Sequence, residues 1–187
     1  MKLTLICIIL TYVVSGFSQE KESFKLNLSY TGFKNYNIVI NNYDENVMMI
    51  VSKPHATNFS KESDVVEIRR LLEIRSEKSI KKTSKIIENN TEYNRDTLII
   101  PNGNPVINYV NDLIDNWNKI ENNSKVNPDK RLIIDGYSLT LSLMKNQHNS
   151  GDIYARSPTK ESHPEIFELI SELEKYYKKE SKKPVIN

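Results

Sequence analysis

The run Tyr137-Ser138-Leu139-Thr140-Leu141-Ser142-Leu143 alternates large apolar and short hydroxylated side chains without a break. Successive strand residues point to opposite faces, so the run predicts a strand with Tyr137, Leu139, Leu141 and Leu143 in a core and Ser138, Thr140 and Ser142 toward water. One buried and one wet face is the pattern of an antiparallel sheet. Leu132-Ile133-Ile134 before it reads as a strand, with Asp135-Gly136 as a tight hairpin turn or glycine bulge between the two. After it, Asn146 to Asp152 reads as a turn and Ile153-Tyr154-Ala155-Arg156 as the returning strand, completing a three-stranded meander.

The first part of the chain repeats this chemistry. Phe24 to Tyr30 alternates with period two, and Tyr36 to Ile40 and Val47 to Ser52 read as a hairpin joined by the turn-forming Asn41 to Asn46 and ended by Lys53-Pro54. Thr97 to Ile100 is a further short strand.

Three regions carry helical spacing. From Asp64 to about Asn89, Asp64 reads as a cap with Glu67 closing a capping box, and Val65, Ile68, Leu71 and Leu72 follow at helical intervals. No apolar residue lies between Ile74 and Ile80, so this region is two short helices or one broken helix. It is also the most basic stretch, with Arg69, Arg70, Arg75, Lys78, Lys81, Lys82 and Lys85 partly offset by acids, which is the composition of a solvated helical face. Asn104 and Pro105 open a second helix, whose stripe of Val106, Val110, Leu113, Ile114, Trp117 and Ile120 places the sole tryptophan in the core. Asn122 to Lys130 reads as a polar linker. Ser162-His163-Pro164-Glu165 reads as a capping box opening the last helix, with a stripe of Ile166, Leu169, Ile170, Leu173 and Tyr177.

The expected fold is α+β. An antiparallel sheet, made of the N-terminal strands plus a C-terminal three-stranded meander, packs against about three amphipathic helices. Residues 19–180 form a single domain of a size that buries roughly 70% of the surface of its unfolded chain. Residues 181–187 are expected to be a disordered basic tail.

Residues 1–18 resemble a secretory signal peptide: Lys2, an apolar run from Leu3 to Val14, then Ser15, Gly16 and Ser18 before the polar Gln19-Glu20. The run is shorter than the roughly 20 apolar residues of a spanning helix, so cleavage between Ser18 and Gln19 is expected, with export to a periplasm or the exterior and no integral membrane segment afterwards. Cys7 is the only cysteine and leaves with this segment, so the mature chain would hold no disulfide, thiolate metal site or cysteine nucleophile. Abundant Asn, Lys and Ile with few Gly, Ala and His suggest an AT-rich bacterial genome.

With 26 basic and 24 acidic residues the chain lacks the field that nucleic-acid binding calls for. The three histidines, His55, His148 and His163, form no local metal pair, and no phosphate loop, nucleophile elbow or selected carboxylate pair is present. No metal, cofactor or catalytic residue is assigned. The candidate binding residues gather at the C-terminal meander: Asp135 at the turn, Tyr154 and Arg156 on the return strand and His163 at the helix cap, since loop and cap residues on a rigid scaffold are where binding resides. Turn chemistry for Asp135, strand propensity for Tyr154 and edge protection by Arg156 explain the same residues without a ligand. The leading reading is a noncatalytic envelope or secreted module binding another protein or a cell-surface ligand, one version being an exported immunity or inhibitor protein. The alternatives are an envelope-polymer hydrolase whose site assembles only in three dimensions and a structural or assembly component.

Overall fold

The computed structural model describes residues 23–42, 46–126, 129, 131, 133 and 135–186. Six strands form one antiparallel sheet: β1 (Phe24–Gly32), β2 (Asn37–Asn42), β3 (Val47–Thr57), β4 (Thr91–Ile100), β5 (Tyr137–Lys145) and β6 (His148–Arg156), in the order β4-β3-β2-β1-β5-β6. Five helices accompany it: α1 (Glu62–Ile74), α2 (Glu77–Asn89), α3 (Pro105–Asp115), α4 (Trp117–Val126) and α5 (Pro164–Glu180). The chain is thus α+β as its periodicities indicate, with more helices than the three expected.

Register follows the alternation. Leu28 lies opposite Ile38 on one side and Leu141 on the other, Leu26 opposite Ile40 and Leu143, and all six are fully buried or nearly so. Their sequence neighbours Asn27, Ser29, Thr140 and Ser142 take the opposite face and are only half-buried. A one-residue slip would exchange these two sets, so core burial pins the pairing. The stripes of α3, the start of α4 and α5 complete the core, Ile166, Leu169, Ile170, Leu173 and Tyr177 all being buried as their spacing requires. Trp117 is 2% exposed, and its indole N–H donates to the Ser150 carbonyl at 3.0 Å, fastening α4 to β6.

Several boundaries differ from the sequence reading. β3 runs through Lys53-Pro54 to Thr57, and β4 begins at Thr91 to pair with it. Proline is tolerated there because β2 has ended, leaving one edge open, and a register shift between Pro54 and Ala56 absorbs the irregularity. The single stripe through Ile120 is divided at Asn116 into α3 and α4. The turn after β5 is only Asn146-Gln147, both at positive φ, the conformation that matches the twist of a two-residue hairpin; β6 therefore starts at His148. The strand expected over Leu132-Ile133-Ile134 falls largely outside the described residues, as does the signal segment. Gly136 takes no part in a tight hairpin with β5; it marks a close approach, since a Cβ there would collide with the Ser157 side chain. Neither expected capping box forms at Asp64 or Ser162: the caps are Lys61 and His163, whose side chains do not bond the backbone N–H groups of the first turn, while Glu67 instead pairs with Arg70 and Lys82.

Residues 181–186, expected to be disordered, lie against the body. Ile186 is 4% exposed, the Val185 N–H donates to the Tyr177 hydroxyl at 2.8 Å, and the Ser181 hydroxyl donates to Asp96 on β4. Val185 and Ile186 are apolar, and the non-helical segment after Glu180 folds them back against the core, a contact that local polarity conceals. In the same C-terminal half of α5, Glu174 accepts from the Lys34 ammonium at 2.7 Å and the Tyr36 hydroxyl at 2.6 Å, tying the β1–β2 connection to the helix; Tyr36 stacks on Tyr30 at 4.3 Å.

The α1–α2 pair stands apart as an arm. It is inserted between β3 and β4, which extend beyond the rest of the sheet as a two-stranded ribbon and close at its base through the Asn58 N–H bonded to the Asn90 carbonyl at 2.9 Å. Arg75, in the left-handed region, ends α1, and Ser76 caps α2 in a reciprocal box with Ser79.

Candidate functional site

At the free edge of β6 a cleft of about 480 Å³ opens between the strand, the end of α4, Asp129 with Arg131, and the start of α5. β6 supplies Asp152, Tyr154 and Arg156, which share one face because they alternate along the strand. Opposite them on β5 lie Ser142, Thr140 and Ser138, and the Tyr154 hydroxyl is 2.8 Å from the Ser138 hydroxyl. Tyr154 is nevertheless 59% exposed.

The wall facing this row is held by Arg131. Its guanidinium grips Asp129 with contacts of 2.6 to 2.9 Å and donates to the carbonyls of Arg156 and Ser157 at 3.0 and 3.2 Å. That fork ties Asp129 and Arg131 to the end of the edge strand, a role for which the planar, multiply donating arginine is suited. Hydrogen bonding to Arg131 holds the Asp129 carboxyl down at about 2, so it is ionised at any physiological pH. Lys125 at the end of α4 is likewise engaged, with Glu121 at 2.8 Å. Arg156 and Asp152 differ: neither side chain has an ion-pair or hydrogen-bond partner among the described residues.

His163 forms the inner boundary. Burial lowers its pKa, partly opposed by Asp129, and its Nδ1 lies 2.9 Å from the Ser162 hydroxyl. With Ser124 it also lines an adjoining hollow of about 330 Å³ against Ile120 and Ile166. A neutral imidazole between a polar cleft and a partly apolar hollow can accept or donate one hydrogen bond to a ligand spanning both.

Three of the four sequence candidates, Tyr154, Arg156 and His163, therefore line one cleft. Asp135 does not: it is exposed at the bend before Gly136 and outside the lining. Sequence reasoning missed Asp129, Arg131, Asp152 and Lys125. Asp152 was within reach, since it continues the Tyr154–Arg156 alternation, but the turn composition of Asn146 to Asp152 hid it. Asp129 and Arg131 lie in or beside what reads as a polar linker, where no periodicity marks a meeting with β6.

Chemically the cleft offers two charges of opposite sign, unpaired among the described residues, around an exposed aromatic. The carboxyls with shifted pKa among the described residues, Glu67, Asp129 and Glu161, are all held low, the reverse of what a general acid needs. No group of three or more His, Cys, Asp or Glu placed to hold a metal occurs among the described residues, and no helix there is long and apolar enough to cross a membrane. Comparison with protein-family models, with curated proteins and with solved structures gives no match.

Proposed function

We propose that this chain is a noncatalytic binding module, exported to the cell envelope or exterior, that recognises a segment of another protein at the β6 cleft. One observation carries the reading: Asp152, Tyr154 and Arg156 stand in a row on an edge strand, an exposed aromatic between an acid and a base that have no partner among the described residues. Tyrosine and arginine are the residues that most often anchor protein interfaces, and unpaired charges of both signs match the mixed donors and acceptors of a polypeptide. An edge strand adds main-chain groups that an extended segment can pair with. Cells expressing the tagged chain should retain, in their envelope fraction or medium, a protein that Tyr154→Ala and Arg156→Glu variants fail to retain while melting like the parent. Equal capture by parent and variants, or release of fragments from envelope polymers by the purified chain, would sink the reading. Export is tested separately, by the mass of the mature protein: Gln19 is expected at its N-terminus.

A further inference from the structure

The arm overhangs the face of the sheet that points away from the core, and a hollow of about 470 Å³ lies between the two. That volume is within the range of small-ligand sites. Its floor is built from side chains that strand alternation turns away from the core: Ser29 and Thr31 of β1, Asn37 of β2 opposite Ser29, and Tyr93 of β4 opposite Pro54 of β3. Its wall is α2, whose Ser84, Ile87 and Glu88 share one helical face. The wall does not close on the floor, and Ile87 stays 40% exposed. The hollow shares no lining residue with the β6 cleft.

Around the base of the arm polar side chains are paired: Thr57 with Thr91 at 3.1 Å, Asn58 with Glu92 at 2.9 Å and Asn90 with Asp64 at 3.1 Å. At the hollow they are not. Ser29, Thr31, Asn35, Asn37, Ser84 and Glu88 line it, and their side chains have no hydrogen-bond or ion-pair partner among the described residues. Hydroxyls and amides both donate and accept, and the one carboxylate only accepts. No Lys, Arg or His is among the described lining residues. This composition selects the ligand. A phosphate or other anion would meet Glu88 with no cation to offset it. A lipid would find little apolar surface beyond Ile87, Pro54 and Tyr93, since Tyr30 and Tyr36 are buried in the core. An extended peptide would find no free main chain over β1 and β2, each paired on both sides. A neutral saccharide fits on each count: its hydroxyls donate and accept, its donors match the carboxylate, and the weakly positive C–H face of its ring suits the electron-rich face of a half-buried tyrosine. We propose that the hollow between the arm and the sheet binds a neutral oligosaccharide, with Ser29, Asn37, Ser84 and Glu88 taking its hydroxyls and Tyr93 seating a sugar ring.

The test is titration of the isotope-labelled protein, followed by NMR, with neutral oligosaccharides of glucose, mannose, xylose and N-acetylglucosamine, and with oligogalacturonate as the anionic comparison. At least one neutral sugar should bind with a Kd of about 1 mM or tighter. It should shift the amides of Asn37, Ser84 and Tyr93 and leave those of Tyr154 and Arg156 in place. Glu88→Gln and Tyr93→Ala should each weaken binding by at least ~10-fold while melting like the parent; Glu88 is exposed and unpaired among the described residues, so its loss of charge leaves the fold alone. Absence of binding by every neutral sugar, tighter binding of oligogalacturonate, shifts centred on Tyr154, or an affinity indifferent to both variants each overturns the proposal. Protein capture at the β6 cleft is read by other variants, so either site can fail without the other.

Discussion

The body and the arm are built from the same ingredient, short amphipathic helices, and reach opposite outcomes. α5 buries five stripe residues because they join one core with the inner face of the sheet and with α3, whereas α1 buries Leu71 alone, outside that core and packed mainly against α2. An apolar stripe is a demand for a partner surface, and the amount it stabilises depends on what the topology places opposite. The body satisfies that demand within one shared core of strands and helices; the arm leaves most of it open.

Large-to-small substitutions should expose the difference most strongly. Trp117→Ala is expected to destabilise the whole protein by about 3–5 kcal/mol, through lost packing and an unpaired Ser150 carbonyl, while Leu71→Ala costs about 2 kcal/mol, at the low end because its surroundings open to water. Denaturant melts read the first. Hydrogen exchange reads the second, as faster exchange confined to α1 and α2, and equal global loss from both variants would erase the distinction between the two regions.

Next in size is the polar staple of the body. Glu174→Ala is expected to cost about 1–3 kcal/mol, since it strands the half-buried Lys34 ammonium and Tyr36 hydroxyl together. Calorimetry of the variant checks this, and a cost no larger than for an exposed arm pair such as Lys81 with Glu77 would argue against a special role for the staple.

In the arm the effect should have the opposite sign. The Thr83 hydroxyl is buried in the seam without a hydrogen-bond partner among the described residues. Thr83→Val keeps the shape and removes the orphan, so it is expected to stabilise the arm by about 1 kcal/mol, seen as slower exchange of α2 amides. A faster exchange would mean that the hydroxyl is satisfied by water.

Acid should treat the two regions alike, and this is the smallest effect. Hydrogen bonds to Arg70 and Lys82 lower Glu67 of the arm from 4.5 to about 2, and Arg131 lowers Asp129 of the body from 3.8 to about 2. A carboxyl held below its unfolded value favours the folded state fully above that value, so both contributions are present above about pH 4.5 and fade as the pH falls toward 2. Both groups reach solvent, which screens the gain. Carboxyl carbon shifts followed by NMR give both titrations; in Arg131→Leu the Asp129 midpoint should rise while that of Glu67 stays.

How much of this was readable in advance varies by element. The faces of β1 and β5, the stripe of α5 and the cap at Asn104 were legible because each depends on spacing within a few residues. The extent of β3 and β4 was not: Pro54 reads as a stop, and only the absence of β2 beside it makes it tolerable. At the candidate site, Tyr154, Arg156 and His163 were legible as a cluster. Asp129 and Arg131 were not, because a linker has no period and its destination depends on which carbonyls lie at the end of β6.

The sequence by itself determined which side of each strand and helix is apolar, because side-chain direction repeats with a local period of two or 3.6. Tertiary structure alone decided that β5 returns to pair with β1, that Arg131 reaches the end of β6, that the last apolar residues fold back onto Tyr177, and that α1 and α2 stay outside the main core. Those outcomes depend on which of several similar apolar surfaces meet, a competition over burial among segments far apart in the chain, and no local pattern records its winner.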